Sequence, residues 1–193
     1  SRIKAGRFLA MDSPVEADIV TGVPESGNAA ALGYSLESGI PYGTAFVKNG
    51  YVGRTFIKPK QSSRESSVQI KLNVLKEAVK GKRVVMIDDS IVRGTTSKRI
   101  VRLLKEAGAR EVHVRIASPA IKYPCFYGVD MSTMDELISN RLNVNELCNY
   151  IEADSLAFIT EEGIDKSIHF NKEKHKCSLC LACFNGEYVT NLY

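Results

Sequence analysis

No apolar run in these 193 residues approaches the roughly 18 that a membrane span needs. No charged leader with an apolar core and a small-residue cleavage site opens the chain, so no secretory signal is expected. The chain begins at Ser1 rather than Met and reads as a processed or excised piece of something longer. Internal repeats and low-complexity tracts are missing. So are long basic helices and aromatic–basic alternation, and a net charge of +4 therefore gives no ground for nucleic-acid binding. It suits a small polyanionic ligand instead. The five cysteines, Cys125, Cys148, Cys177, Cys180 and Cys183, are odd in number and unevenly clustered, which argues against a disulfide framework. A reducing cytoplasm is the expected compartment.

What is there is ordinary in bulk and unusual in a few loops. The length allows one sizeable α/β domain, and 25% charged residues fit a globular protein. Apolar periodicity predicts strands over 18–23, 44–48, 83–87, 111–117 and 156–159, with strand-like alternation at Val68, Ile70 and Leu72. Helical patterns fall at 3–10, at 29–36 with Gly39 as the stop, and at 96–107 with Gly108 as the cap. Two shorter ones lie around 134–139 and 145–150. Alternating strands and helices imply a parallel sheet covered on both faces, with ligands beyond the carboxyl ends of its strands. Three loops at that edge stand out: PESGN, DDSIVRGTTS and SPAIKYP.

In the stretch RVVMIDDSIVRGTTSK, an apolar strand ends in two adjacent aspartates, Asp88 and Asp89. A loop follows and opens a helix, so backbone N–H groups and the helix N-terminus make an anion site. Gly94 allows close approach of a phosphate, and Thr95, Thr96 and Ser97 add hydroxyl donors. Neither GxxxxGK[ST] nor GxGxxG is present, so this is not a nucleotide loop of either common kind. The aspartates stand one step before the cradle, placed for whatever the phosphate is attached to. Two ribose hydroxyls would donate to them, and Mg²⁺ would relieve their mutual repulsion. The bland alternative is one helix cap and one solvated side chain.

VVMIDDSIVRGTTS resembles the phosphoribosyl-pyrophosphate (PRPP) motif of type I phosphoribosyltransferases. VTGVPESG, KNGYVGRTFIKP, EAGAREVHVRIASP, YPCFYGVDMST and CLACFNGEY extend the likeness over nearly the whole chain, to the C-terminal half of the glutamine PRPP amidotransferase family. The resemblance implies an α/β fold, a parallel sheet flanked by helices with a flexible flap and a Cys-containing tail at 170–193. It implies that Asp88 and Asp89 bind the ribose hydroxyls and help place Mg²⁺, with Ser26 linked to the metal. Ser90, Arg93, Gly94, Thr95, Thr96 and Ser97 would hold the 5′-phosphate. Pro24, Glu25, Ser26 and Gly27 match the pyrophosphate loop, where backbone N–H groups would bind the anion while the Glu25 carboxylate points away.

Segment 48–64 holds Lys48, Arg54, Lys58, Lys60 and Arg64 with no acid. By itself it reads as a solvated basic loop. The resemblance makes it a lid that closes over PRPP, with Lys48 and Arg54 as ligand contacts and Gly50 where relatives are expected to carry a basic residue. No general base is evident. The implied reaction needs none: ammonia attacks C1 of the ribose, pyrophosphate leaves, and 5-phosphoribosylamine opens purine synthesis. Nothing matches the family's N-terminal cysteine nucleophile, so this chain alone is expected not to use glutamine. The glutaminase domain, feedback inhibition by purine nucleotides and a homotetramer are implied by the resemblance as well.

CSLCLAC has spacing favoured by iron–sulfur and zinc sites. In the family's cluster-bearing members, the ligands of a [4Fe–4S] cluster in this half fall on Cys125, Cys180 and Cys183, and the fourth lies upstream. Cys177 is a possible substitute. Cys148 reads as a core thiol, His113 as a core or edge residue, and His169 and His175 as tail residues without support for a ligand role. The rivals are a PRPP-binding regulator, a purine or pyrimidine salvage phosphoribosyltransferase, and a bare iron–sulfur module. Against them stand the lack of a helix-turn-helix, the CLACF tail, and DDSIVRGTTS, respectively.

Overall fold

The computed structural model describes residues 1–48, 72–129, 133–168 and 179–190. Four strands form a parallel sheet: β1 (Ile19–Gly22), β4 (Arg83–Asp88), β5 (Glu111–Ile116) and β6 (Ser155–Phe158), in the order β1-β4-β5-β6. Among the described residues two more strands, β2 (Phe46–Lys48) and β3 (Leu72–Val74), pair with each other, antiparallel. Parallel pairing sends the ends of β1, β4 and β5 to one edge: Gly22 lies opposite Ile87, and Asp88 opposite Ile116.

β4 shows why the sheet is central. Val84, Val85, Met86 and Ile87 are all fully buried, as a strand covered on both faces requires. Side-chain alternation then divides one strand between two cores. Val84 and Met86 join Val112, Val114 and Ile116 against α4 (Thr95–Glu106), through its Ile100, Val101 and Leu104. Val85 and Ile87 face the other way, onto α1 (Arg2–Asp12) and α2 (Asn28–Ser38), through Leu9, Ala30, Ala31 and Tyr34. Those two helices touch backbone to backbone. A Cβ on Gly6 would lie 1.9 Å from the Ala30 carbonyl oxygen, and one on Gly33 would lie 1.9 Å from that of Ile3.

The expected elements appear with small shifts at their ends. The helix read at 3–10 is α1, and the one at 29–36 is α2, stopped by Gly39 with φ +74°. At the end of α4 the cap residue is Ala107, one place before the expected Gly108, which follows with φ +96°. The pattern at 134–139 divides into a 3₁₀ turn, Met134–Glu136, and the short helix α5 (Ile138–Arg141). The pattern at 145–150 is α6 (Val144–Tyr150), closed by a reciprocal Asn143–Glu146 capping box. The alternation at Val68 and Ile70 lies outside the described residues, and its last member, Leu72, begins β3.

Three helices escaped the periodicity: α3 (Lys76–Val79), α7 (Glu161–Ile168) and α8 (Ala182–Asn185). α3 and α8 are one turn long, below what a repeat can register. In α7 the sequence EEGIDKSI carries a mid-helix glycine, which lowers propensity. The helix forms because it packs against α1, and Gly163 sits where a Cβ would come 2.8 Å from Ile159 Cγ1.

Candidate functional site

The loop after β1 is held onto the end of β4. Val23 N–H donates to the Ile87 carbonyl (2.8 Å), and Gly27 N–H returns to Val23 O (2.9 Å). A side chain at Gly27 would put its Cβ 2.4 Å from Ile87 O, so only glycine permits this contact. The Pro24–Glu25 peptide is cis. Glu25 is exposed, and its carboxylate accepts from Lys48 Nζ at 3.2 Å. The acid therefore leans toward β2. Ser26 is half-buried and lines a cavity of about 200 Å³ together with Asp89, Ala30 and Ala117. Two sequence-named residues from different loops thus share one wall. α7, which the sequence reading missed, closes its far side with Ile164 and Ser167.

The two aspartates differ sharply. Asp88 is 7% exposed, and Asp89 faces solvent. Asp88 Oδ1 accepts the Asp89 backbone N–H at 2.9 Å, and the Asp88 carbonyl ties the loop to Ala117 N–H. Burial pushes the Asp88 carboxyl from its ordinary 3.8 up to about 7; the Asp89 N–H opposes the rise, and the charge of Asp89 adds to it. Such a carboxyl gains from any cation or pair of hydroxyl donors that arrives beside it.

Beyond the aspartates, Ile91 anchors the loop in the core, and Val92 O accepts from Ile138 N–H at 2.9 Å. Gly94 takes φ +74°, a conformation that strains other residues, and then starts α4. Thr95 and Thr96 are exposed at the mouth of the helix, where the first N–H groups lack intrahelical acceptors. Ser97 is 3% exposed, shut away from solvent beneath the first turn. Ser90 is half-buried beside Asp89, and Arg93 reaches Glu136 at 2.6 Å. That partner was not evident from sequence, because 43 residues separate the two.

Arg54, Lys58, Lys60, Arg64, Gly50, Cys177, His169 and His175 lie outside the described residues, and with them most of the expected lid. In the tail, the Lys122 and Tyr123 N–H groups both donate to Cys183 O (3.0 and 3.1 Å), and Tyr188 Oη–H donates to Pro124 O. Cys125, Cys180 and Cys183 therefore share a neighbourhood. Burial raises the Cys183 thiol above its ordinary range, and the nearby Cys125 and Cys180 raise it further. Among the described residues, no group of three or more His, Cys, Asp or Glu side chains is arranged to hold a metal. Cys148 is half-buried against the main core, its thiol donating to Ala153 O. His113 is a buried residue of β5, between Ser155 and Glu111.

Sequence reading also missed a buried network. Arg115, 4% exposed, donates to Ser13 O (3.0 Å), Val114 O (3.0 Å) and Ser155 Oγ (2.9 Å), and Tyr34 Oη–H also donates to Ser13 O. Its signal was present: a charge between Val114 and Ile116 in an apolar strand.

Residues 16–121 match the phosphoribosyl transferase domain family. The chain is 54% identical to an amidophosphoribosyltransferase of Bacillus subtilis over all of its length, and 51% identical to one from Archaeoglobus fulgidus. It spans about two fifths of those curated relatives, 40% and 42%. A B. subtilis glutamine PRPP amidotransferase, solved in complex with ADP and GMP, superposes with a TM-score of 0.89 at 54% identity, over all of this chain and 42% of that one.

Proposed function

The chain belongs to the phosphoribosyl transferase domain family, and from that premise we propose that it is the phosphoribosyl-transferring half of an amidophosphoribosyltransferase. Ammonia attacks C1 of PRPP, the bond from C1 to the pyrophosphate oxygen breaks, and 5-phosphoribosylamine and pyrophosphate result. We place the glutaminase domain that releases ammonia from glutamine outside these residues. One arrangement carries the reading: the Asp88–Asp89 pair stands at the end of β4, directly before the Gly94–Ser97 helix start, with the 24–27 loop held against it.

Each part has a role in this reading. Thr95, Thr96 and the first N–H groups of α4 hold the 5′-phosphate, with Ser90 and Arg93 beside them. Asp88 and Asp89 accept from the ribose hydroxyls, which fixes C1 relative to the incoming nitrogen. The backbone of Pro24–Gly27 receives the pyrophosphate while Lys48 keeps the Glu25 carboxylate aside. Two carboxylates and the Ser26 hydroxyl are hard oxygen donors, and burial above all raises the Asp88 carboxyl, with the charge of Asp89 adding to it. Such a set fits Mg²⁺ held together with substrate phosphates. Mg²⁺ when bound supplies charge neutralisation of the leaving group. Arg54 and the rest of 49–64 act as a lid that keeps water out.

The remaining expectations rest on the family. Purine nucleotides act as feedback inhibitors, the relative with ADP and GMP supporting this part. The protein works in the cytoplasm as a tetramer. Among the described residues no helix is long and apolar enough to cross a membrane. A [4Fe–4S] cluster on Cys125, Cys180 and Cys183 has only their shared neighbourhood and the resemblance behind it. Those residues do not form a ready ligand set here, so no step is assigned to it. An absorption spectrum of anaerobically purified protein, read together with its iron content, tests the cluster.

The test of function is pyrophosphate release from PRPP with Mg²⁺ and ammonium chloride at alkaline pH. Ammonia-dependent release is expected, with no activity from glutamine. PRPP binding without turnover would make the chain a regulator. Transfer to a purine or pyrimidine base, and not to ammonia, would make it a salvage enzyme.

A further inference from the structure

We propose that Glu136 is a positioning residue for phosphoribosyl transfer: it holds the Arg93 guanidinium at the 5′-phosphate end of the site, from a turn that is itself fastened to the 90–94 loop. The inference rests on the function proposed above. It adds to that function a residue 43 positions further along the chain than Arg93.

The turn is fixed to the loop through backbone and side chain. Met134–Glu136 is a single 3₁₀ turn, and the two residues after it, Leu137 and Ile138, are buried. Ile138 N–H donates to Val92 O at 2.9 Å. The Ile138 side chain also packs on Gly94, where a Cβ would lie 2.9 Å from Ile138 Cδ1 and 3.2 Å from Tyr150 Cε1. Val92 and Gly94 flank Arg93 in sequence. The backbone on both sides of Arg93 is therefore pressed against α5 and α6, and Glu136, two residues before Ile138, has little freedom relative to it.

Arg93 depends on this frame. Its side chain is 62% exposed, and among the described residues its hydrogen bond and its ion pair both go to Glu136, at 2.6 Å. A long exposed side chain loses much rotamer freedom when a ligand fixes it. A carboxylate already in place fixes it before the ligand arrives, which is preorganisation. The contact engages Nη2 alone, and the guanidinium's other donors are left for an oxyanion that accepts two bonds in parallel. Glu136 also brings a negative charge toward an anion site, and this effect has the opposite sign. Its side chain is 41% exposed, so solvent and salt screen that repulsion. They do not screen side-chain entropy. Ordering therefore outweighs repulsion, and loss of the carboxylate weakens the hold on the phosphate.

The test is calorimetric titration of the full chain with two probes, ribose 5-phosphate and Mg²⁺-pyrophosphate, beside steady-state kinetics with PRPP and ammonia. The first probe carries the group assigned to the Gly94–Ser97 end, the second the group assigned to the 24–27 loop. Glu136→Ala should weaken ribose 5-phosphate about three- to tenfold, as freeing one rotamer-rich side chain requires. It should leave pyrophosphate binding unchanged. The KM for PRPP should rise by a like factor at constant kcat, the mark of lost uniform binding. Glu136→Gln, whose amide oxygen still accepts from Arg93, should recover part of the loss. In an Arg93→Ala background, Glu136→Ala should no longer weaken binding. Equal weakening of both probes would overturn the inference in favour of a merely structural turn. Unchanged or tighter ribose 5-phosphate binding in Glu136→Ala would overturn it too, as would an undiminished effect without Arg93. Failure of the parent protein to bind either probe would overturn the proposed function and this inference with it, whereas a binding parent with an indifferent Glu136→Ala overturns this inference alone.

Discussion

Asp88 and Arg115 are buried charged residues on adjacent strands, one step apart in register. They are treated in opposite ways. Arg115 has a carbonyl or hydroxyl oxygen for each donor that the structure pairs: Ser13 O, Val114 O and Ser155 Oγ. Asp88 has one backbone N–H, from its own neighbour, and a second carboxylate next in sequence. The guanidinium is held by three bonds from its own chain. The carboxyl is built in and left wanting. A buried charge with several partners from its own chain serves the fold, and one with few is the better candidate for a ligand.

The sharpest way to break that contrast is to neutralise each member in turn. Replacing both acids, Asp88→Asn with Asp89→Asn, should lower ammonia-dependent turnover by about a thousandfold or more. The far-ultraviolet circular dichroism should not change; near-normal turnover would end the catalytic reading. Arg115→Met should do the reverse. Stability should fall by about 2–4 kcal/mol, since Ser13 O and the Ser155 hydroxyl lose a buried partner. The KM for PRPP of the remaining folded protein should not move. Urea unfolding beside steady-state kinetics separates the two outcomes.

Smaller effects sharpen the comparison. Gly27→Ala forces a Cβ toward Ile87 O, 2.4 Å away. It should cost about 1–3 kcal/mol and raise the KM for PRPP, because the 24–27 loop must lift off β4. Next comes pH. The Asp88 carboxyl ionises near 3.8 in an unfolded chain and at about 7 in the folded protein. Its contribution to stability is thus greatest below the unfolded value and is lost as pH rises through the folded one. Urea midpoints of the unliganded protein should show this decline between pH 4 and 7, and Asp88→Asn should remove it. Above pH 7, Asp88→Asn should melt at least about 3 °C higher than the parent in the absence of ligand. An equal or lower melting temperature would mean that Asp88 is not starved of partners. The least effect is expected from Asp18→Asn, at the opposite end of the sheet. Arg83 holds the Asp18 carboxyl down at about 2, but the pair is open to solvent. Screening should leave a change in melting temperature of a degree or so, shrinking further with salt.

Local patterns carried far in this chain. Strand β4 could be read because a strand buried on both faces must be apolar throughout. The helix after it could be read because Gly94 and the hydroxyl residues mark a helix start. The mutual repulsion of the acidic pair followed from adjacency alone, since neighbouring carboxylates at a strand end repel wherever the strand is placed. Gly27 could be named, although the reason it must be glycine, the Ile87 carbonyl, lies 60 residues away.

What the amino-acid order determined by itself was everything that depends on neighbours in the chain: strand and helix periods, turns, and the sequence DDSIVRGTTS with its anion-ready start. Only the tertiary structure decided which of the two aspartates is buried, that Ser26 and Asp89 share a wall, and that Arg93 meets Glu136. It also decided that Glu25 turns to Lys48. Burial and pairing across long separations depend on how layers pack, and a one-dimensional pattern contains no distance between residues that the fold alone brings together.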